Sequence, residues 1–170
     1  LEKHGHVFIS SEKDVPTELE DRVMRVPKNR IHDALYYASL LVTDTQTMAT
    51  EAAILGTPTV RCNSFVGSSD MGNFIELENK FNLLFNFSDF KGAMAKAIEL
   101  AKDVGAKAEW GRRRCHLIKE NIDVTEFMVW FIENYPRSYN EMREHPELQL
   151  SCAFVPQEDS RALQHKKISP

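Results

Sequence analysis

Residues 40–60 read LLVTDTQTMATEAAILGTPTV, and this stretch decides the fold. The apolar run 40–43 predicts a strand. Asp44 or Thr45 is placed to cap a helix running through Leu55, Gly56 to close it, and Pro58 stands where it cannot continue. Thr59–Cys62 is again short and β-prone, a second strand. A strand, a helix and a strand joined this tightly form a parallel pair with a helical crossover.

The pattern extends in both directions. Upstream, residues 1–4 read as the last turn of a helix closed by Gly5. A strand at 7–10, a polar turn, a short helix beginning at Pro16 and a strand at 23–26 follow. Pro27, Lys28 and Asn29 open the next helix, with Ile31, Leu35 and Ala38 spaced as a buried stripe. Downstream come a polar, glycine-bearing loop (63–72), a short helix (74–80) and a strand (83–87). Three helices, 90–104, 106–121 and 124–135, then lead to Pro136, which ends or kinks the third. Phe127, Met128, Trp130 and Phe131 read as the buried stripe of that helix rather than a cofactor box. The fold class is therefore α/β, a Rossmann-like, doubly wound parallel sheet with C-terminal helices. The sheet is expected to be incomplete. Its first strand would lie centrally in a 3-2-1-4-5-6 order, leaving either a gap between the strands at 7–10 and 40–43 or a rearranged pairing. Residues 1–145 form this domain, and 146–170 are a polar tail, mobile from 157 on.

The chain has 170 residues, 42% hydrophobic and 27% charged. That composition excludes collagen and wholesale disorder. No apolar run approaches the ~20 residues of a membrane span, and no signal-peptide pattern opens the chain. A net charge of −4 argues against nucleic acid as a partner, because such binding needs a basic footprint. The one dense basic cluster, Arg112, Arg113 and Arg114, reads as a solvated helix face or an anion site. Cys62, Cys115 and Cys152 have neither zinc-ligand nor disulfide-framework spacing, which fits a reducing, cytoplasmic compartment. His4 and His6 alternate on a strand but lack a third ligand, so no metal is expected. The chain opens on Leu1 rather than Met and is expected to be a fragment.

In open parallel sheets, ligands bind where strands end and helices begin. The turn at 44–48 is such a place. The backbone N–H groups of Gln46, Thr47 and Met48, the helix dipole and the hydroxyls of Thr45 and Thr47 together favour a phosphate. Glu51 shares a helix face with Thr47 and tilts back toward the amino end, where it suits the two hydroxyls of a ribose. The plain alternative makes Thr45 a cap, Thr47 a first-turn polar residue and Glu51 a solvated charge complementing the dipole. The turn lacks the glycines that usually let phosphate approach. The loop residues Arg61, Asn63, Ser64, Asp70 and Asn73 follow the next strand at the same sheet end. Arg61 suits a phosphate there, or a carboxylate at the core edge. No nucleophile or triad has recognisable context.

The run IHDALYYASLLVTDTQTMATEAAILGTPTVRCNSF (31–65) resembles the donor-binding half of GT-B-fold nucleotide-sugar enzymes, notably the non-hydrolysing UDP-N-acetylglucosamine 2-epimerases. It is still more similar to an uncharacterised archaeal and bacterial family of GT-B-like proteins carried as a domain of unknown function. The resemblance covers roughly residues 5–100. It rests most on Thr43, Asp44 and Thr45, then Glu51, Ala52, Leu55, Gly56 and Pro58. It implies that Thr45 takes the place of the serine opening the phosphate turn, that Gln46 and Thr47 replace its paired glycines, and that Glu51 is the ribose-binding glutamate. Ile31 and His32 map onto contacts to the base. It further implies a nucleotide-sugar donor as partner, with no cofactor, and an acceptor-binding domain preceding this chain. On this reading the parent protein is a glycosyltransferase- or epimerase-like enzyme, with electrostatic stabilisation of the departing diphosphate at the Thr45 turn. The rival readings are a non-catalytic interaction module and a phosphate-binding regulatory domain.

Overall fold

The computed structural model describes residues 1–67 and 70–152. It has two compact units, Leu1–Arg114 and Cys115–Pro170. The expected mobile tail at 157–170 lies outside the described residues.

The first unit is an α/β fold built on a three-stranded parallel sheet. Strands β1 (Leu41–Thr43), β2 (Thr59–Cys62) and β3 (Phe85–Phe87) run in that spatial order, with Leu41 opposite Thr59 and Val60 opposite Phe85. Helices alternate with them: α1 (Ile31–Tyr37), α2 (Gln46–Ile54), α3 (Gly72–Asn79) and α4 (Phe90–Lys102). The two crossovers step the same way along the sheet, and right-handed connection puts α2 and α3 side by side on one face. Helix α2 packs on β1 and β2, α3 on β3 and α2, and α4 turns back onto β2 and β3. Helix α5 (Ala106–Glu120) begins in this unit.

The central strand explains the core. Thr59, Val60 and Arg61 are wholly buried, as a parallel strand covered on both faces must be. Ala49, Ala52 and Ala53 present no bulk, so α2 approaches the sheet closely, and Phe74, Leu83 and Leu84 fill the space beside it. Full burial of one such large side chain is worth roughly 1.5–3 kcal/mol. The Trp110 indole N–H of α5 donates to the Leu83 carbonyl at 2.6 Å, and the Thr57 hydroxyl donates to the Leu35 carbonyl at 2.6 Å.

Helix α2 ends as its sequence requires. Gly56 has φ +78°, Gly56 N–H bonds the Ala53 carbonyl at 3.0 Å, and Thr57 N–H reaches back to Ala52 at 2.9 Å. This is the Schellman closure, open to glycine at little cost.

Several upstream elements differ from expectation. Residues 1–4 make a turn, with His4 N–H on the Leu1 carbonyl, instead of a helix end. The strands expected at 7–10 and 23–26 reduce to one parallel bridge, Ile9 with Val23, and neither pairs with β1. Their alternation is weak, with Phe8 fully outside the core at 71% exposure. The short helix near Pro16 is a 3-10 turn, Thr17–Arg22, and a second, Lys28–Arg30, leads into α1. Of the Ile31, Leu35, Ala38 stripe only Leu35 is fully buried: Ile31 stands at the first position of α1, and Ala38 lies beyond its end at Tyr37.

In the second unit, α6 (Val124–Glu133) is capped by Asp123, which accepts from Glu126 N–H at 3.0 Å. Pro136 separates it from α7 (Arg137–Glu144), a helix not anticipated from sequence, and Pro146–Ser151 form a 3-10 turn. The buried stripe expected on α6 is corrected in part. Phe127, Trp130 and Phe131 cluster with ring centroids 6.0–6.5 Å apart, yet no residue of α6 is fully buried and Met128 is 53% exposed. The three aromatics share one face at i, i+3 and i+4, and Met128 falls on the next. No helix among the described residues is long and apolar enough to cross a membrane.

Candidate functional site at the strand ends

The carboxyl ends of β1 and β2 open onto a hollow of about 260 Å3, lined by Gln46, Thr47, Thr50 and Glu51 of α2 and by Met71, Asn73 and Phe74 at the start of α3. Helical spacing puts Thr47, Thr50 and Glu51 on one face. The Asn73 amide donates to the Thr50 hydroxyl at 3.1 Å and ties the two helices across it.

The amino end of α2 carries no side-chain cap. Thr45 stands at the cap position with extended backbone, but its hydroxyl lies 3.0 Å from that of Thr43, and Thr43 Oγ1 accepts the Thr45 N–H at 3.1 Å. The capping role expected of Thr45 is not realised, because its hydroxyl is held in a local Thr43–Thr45 turn. The N–H groups of Gln46, Thr47 and Met48 meet no side-chain acceptor among the described residues.

His32 and Glu51, two residues singled out separately, are brought together. His32 Nε2 of α1 lies 3.3 Å from Glu51 Oε1, with Glu51 part-exposed on the hollow. Ile31, the other base-contact position, lies beside His32 in α1 and does not line the hollow. Met48 does not line it either.

Arg61 points into the fold. Its side chain is fully buried and pairs with Asp70, Nη1 to Oδ2 at 2.7 Å and Nη2 to Oδ1 at 3.3 Å. Nη1 also donates to Asn86 Oδ1 at 2.9 Å, and the guanidinium carbon sits 3.8 Å above the Phe74 ring. Its Nε has no partner among the described residues. Hydrogen bonding from Arg61 holds the Asp70 carboxyl below its ordinary pKa, against the opposing effect of burial and with help from Met71 N–H. Of the two roles open to Arg61, the core-edge carboxylate is the one realised. The cation braces the hollow from behind, through Asp70 next to Met71 and through Phe74.

Asn63 is a tie between loops. Its Nδ2 donates to the Asp44 carbonyl at 2.7 Å, its Oδ1 accepts Phe65 N–H at 2.9 Å, and its own N–H bonds the Phe87 carbonyl at 3.0 Å. It joins the segments that leave all three strands. Thr50, Met71 and Phe74 went unremarked in the sequence. Thr50 was findable from its helical spacing to Thr47, whereas Met71 and Phe74 reach the hollow only because α3 packs on α2. The described residues hold no group of three or more His, Cys, Asp or Glu fit for a metal ion.

No family model, no curated protein and no solved structure matches this chain.

Proposed function

We propose that this unit binds the donor of a sugar-transfer or sugar-epimerising reaction, a nucleotide sugar, at the carboxyl ends of β1 and β2. One observation carries the reading. The first turn of α2 presents N–H groups without a side-chain cap, and the Glu51 carboxylate stands one turn further along the same hollow. The uncapped turn suits a diphosphate. A carboxylate one turn in is too far along the helix to oppose that charge directly and suits a pair of ribose hydroxyls. Gln46, Thr47, Thr50 and Asn73 add amide and hydroxyl groups fitted to a polyhydroxylated ligand. The likeness of residues 31–65 to donor-binding halves of GT-B proteins supports the same assignment. In such a site the Thr45 turn stabilises negative charge gathering on the departing diphosphate. No acid or base is assigned, and no metal or nicotinamide is invoked.

Calorimetric titration of UDP into the full chain, followed by other nucleoside diphosphates, tests this. Glu51→Ala is expected to weaken diphosphate binding by at least about tenfold, equivalent to ~1.4 kcal/mol, with an unchanged circular dichroism spectrum. Absence of binding by every nucleoside diphosphate would overturn it. A second reading, an interaction module, is favoured by a separate feature: Val124, Met128, Val129 and Ile132 of α6 are each half-exposed or more.

A further inference from the structure

A second hollow, of about 390 Å3, opens at the other end of α2. Its walls come from three sources: Tyr36 and Tyr37 at the end of α1, Gly56 at the closure of α2, and Lys107, Gly111 and Arg114 of α5. The α5 residues are spaced i, i+4 and i+7, so one helix face looks onto the space.

Gly111 is the unexpected member. It lies inside the fifteen residues of α5, where only proline is less favourable than glycine. A Cβ built there meets nothing within 4 Å. Packing against neighbours therefore does not demand glycine, and its effect is to leave the hollow open. Gly56 differs, since its left-handed backbone and the Arg114 side chain 3.1 Å from its would-be Cβ account for it.

The charges are arranged just as specifically. Lys107 Nζ donates to the carbonyls of Tyr36 at 2.5 Å and Ala38 at 3.0 Å and to the Thr57 hydroxyl at 2.6 Å, which uses all three of its protons. Arg114 Nε donates to the Ile54 carbonyl at 3.0 Å, and among the described residues its two terminal nitrogens have no partner. The two cations thus close the carboxyl ends of α1 and α2. Each helix end carries roughly half a unit of negative charge, so two full positive charges leave about one in excess. The nearby acids are spent elsewhere, Glu109 on Arg112 and Arg113, and Asp33 on Arg30. Tyr36 and Tyr37 complete the wall as an edge-to-face pair, centroids 5.1 Å apart, with Tyr37 72% exposed.

We propose that this hollow is a binding site for a small aromatic carboxylate. The ring lies over Gly111 against the tyrosines, where offset or edge contacts between rings are favourable. The carboxylate takes the two outward nitrogens of Arg114, a forked match of planar groups. The carboxylate answers the positive excess that Arg114 brings to the hollow.

Ligand-observed saturation-transfer NMR on the full chain tests the proposal, with benzoate and 4-hydroxyphenylacetate as probes and phenol and acetate as their halves. Transfer is expected to both aromatic carboxylates, with binding about tenfold weaker for phenol and for acetate. Gly111→Leu fills the space. It is expected to raise the melting temperature, as leaving glycine in a helix does, and to abolish transfer. Gly111→Ala is expected to raise the melting temperature and keep it. Should Gly111→Leu fail to fold, Arg114→Gln is the deciding variant, expected to lose selectivity for benzoate over phenol. Absence of transfer in the wild type, equal transfer in a folded Gly111→Leu, or unchanged selectivity in Arg114→Gln would each overturn the proposal.

Discussion

Arg61 shows how one side chain serves the core and the site together. A buried guanidinium is tolerated because Asp70, Asn86 and the Phe74 ring surround it. Removing one partner of such a pair strands the other charge, which costs about 3–5 kcal/mol. Arg61→Met is therefore expected to lose that much in urea unfolding, and Arg61→Met with Asp70→Leu to recover a large part of it. A double variant no more stable than the single one would show that the pair is not the source. Lys107 carries a pH signature. Burial lowers its pKa from 10.5 to about 8. Between those values the unfolded chain holds more protons than the folded one, so stability rises with pH across the window. Urea midpoints measured from pH 8 to 10.5 are expected to climb for the wild type relative to Lys107→Gln, and parallel curves would contradict the shift. At this scale the sequence was partly readable. Thr47 and Glu51 are on the hollow as their spacing to the helix start implied. His32 was named only through the resemblance, as a contact to the base, and nothing in its local sequence said that it would touch Glu51.

Helix starts in this chain are of two kinds. Asp89 caps α4 by accepting Gly92 N–H at 2.8 Å, and Asp123 does the same for α6. Thr45 at the start of α2 makes no such bond. Loss of a working cap costs about 0.5–2 kcal/mol. Asp89→Ala is therefore expected to destabilise the protein by about 1 kcal/mol in chemical unfolding, and Thr45→Ala by much less. Equal losses would mean that Thr45 caps α2 in solution. Elements with strong punctuation were legible almost to the residue. The Gly56 closure and β2 at Thr59–Cys62 fall where the Gly and Pro signals placed them, and α4 starts at Phe90 as expected. Elements without it were not. The β-prone run Val7, Phe8 and Ile9 has no alternating face and keeps a single bridge to Val23, and α7 follows Pro136 with a largely polar sequence whose helicity rests on contacts with α6 and the 3-10 turn after it.

Across the molecule, burial is unevenly distributed. The centre of the first unit is sealed, with β2, the inner face of α2 and that of α4 closed to solvent, whereas α6 has no fully buried residue. Local opening follows such differences in burial. Amide hydrogen exchange is expected to be slowest in β2 and α2 and faster by at least about tenfold in α6, and equal protection would mean that α6 is covered in solution. By itself the sequence determined the α/β class, the parallel order of β1, β2 and β3 and the Gly56 closure of α2, because period, β-branching, glycine and proline act within a few residues of where they stand. Only the tertiary structure decided that Arg61 turns to Asp70, that Asn63 joins three loops, that His32 meets Glu51 and that two hollows flank α2. Those outcomes depend on which side chains distant segments bring within about 4 Å, and no pattern along a single segment encodes its partner's position.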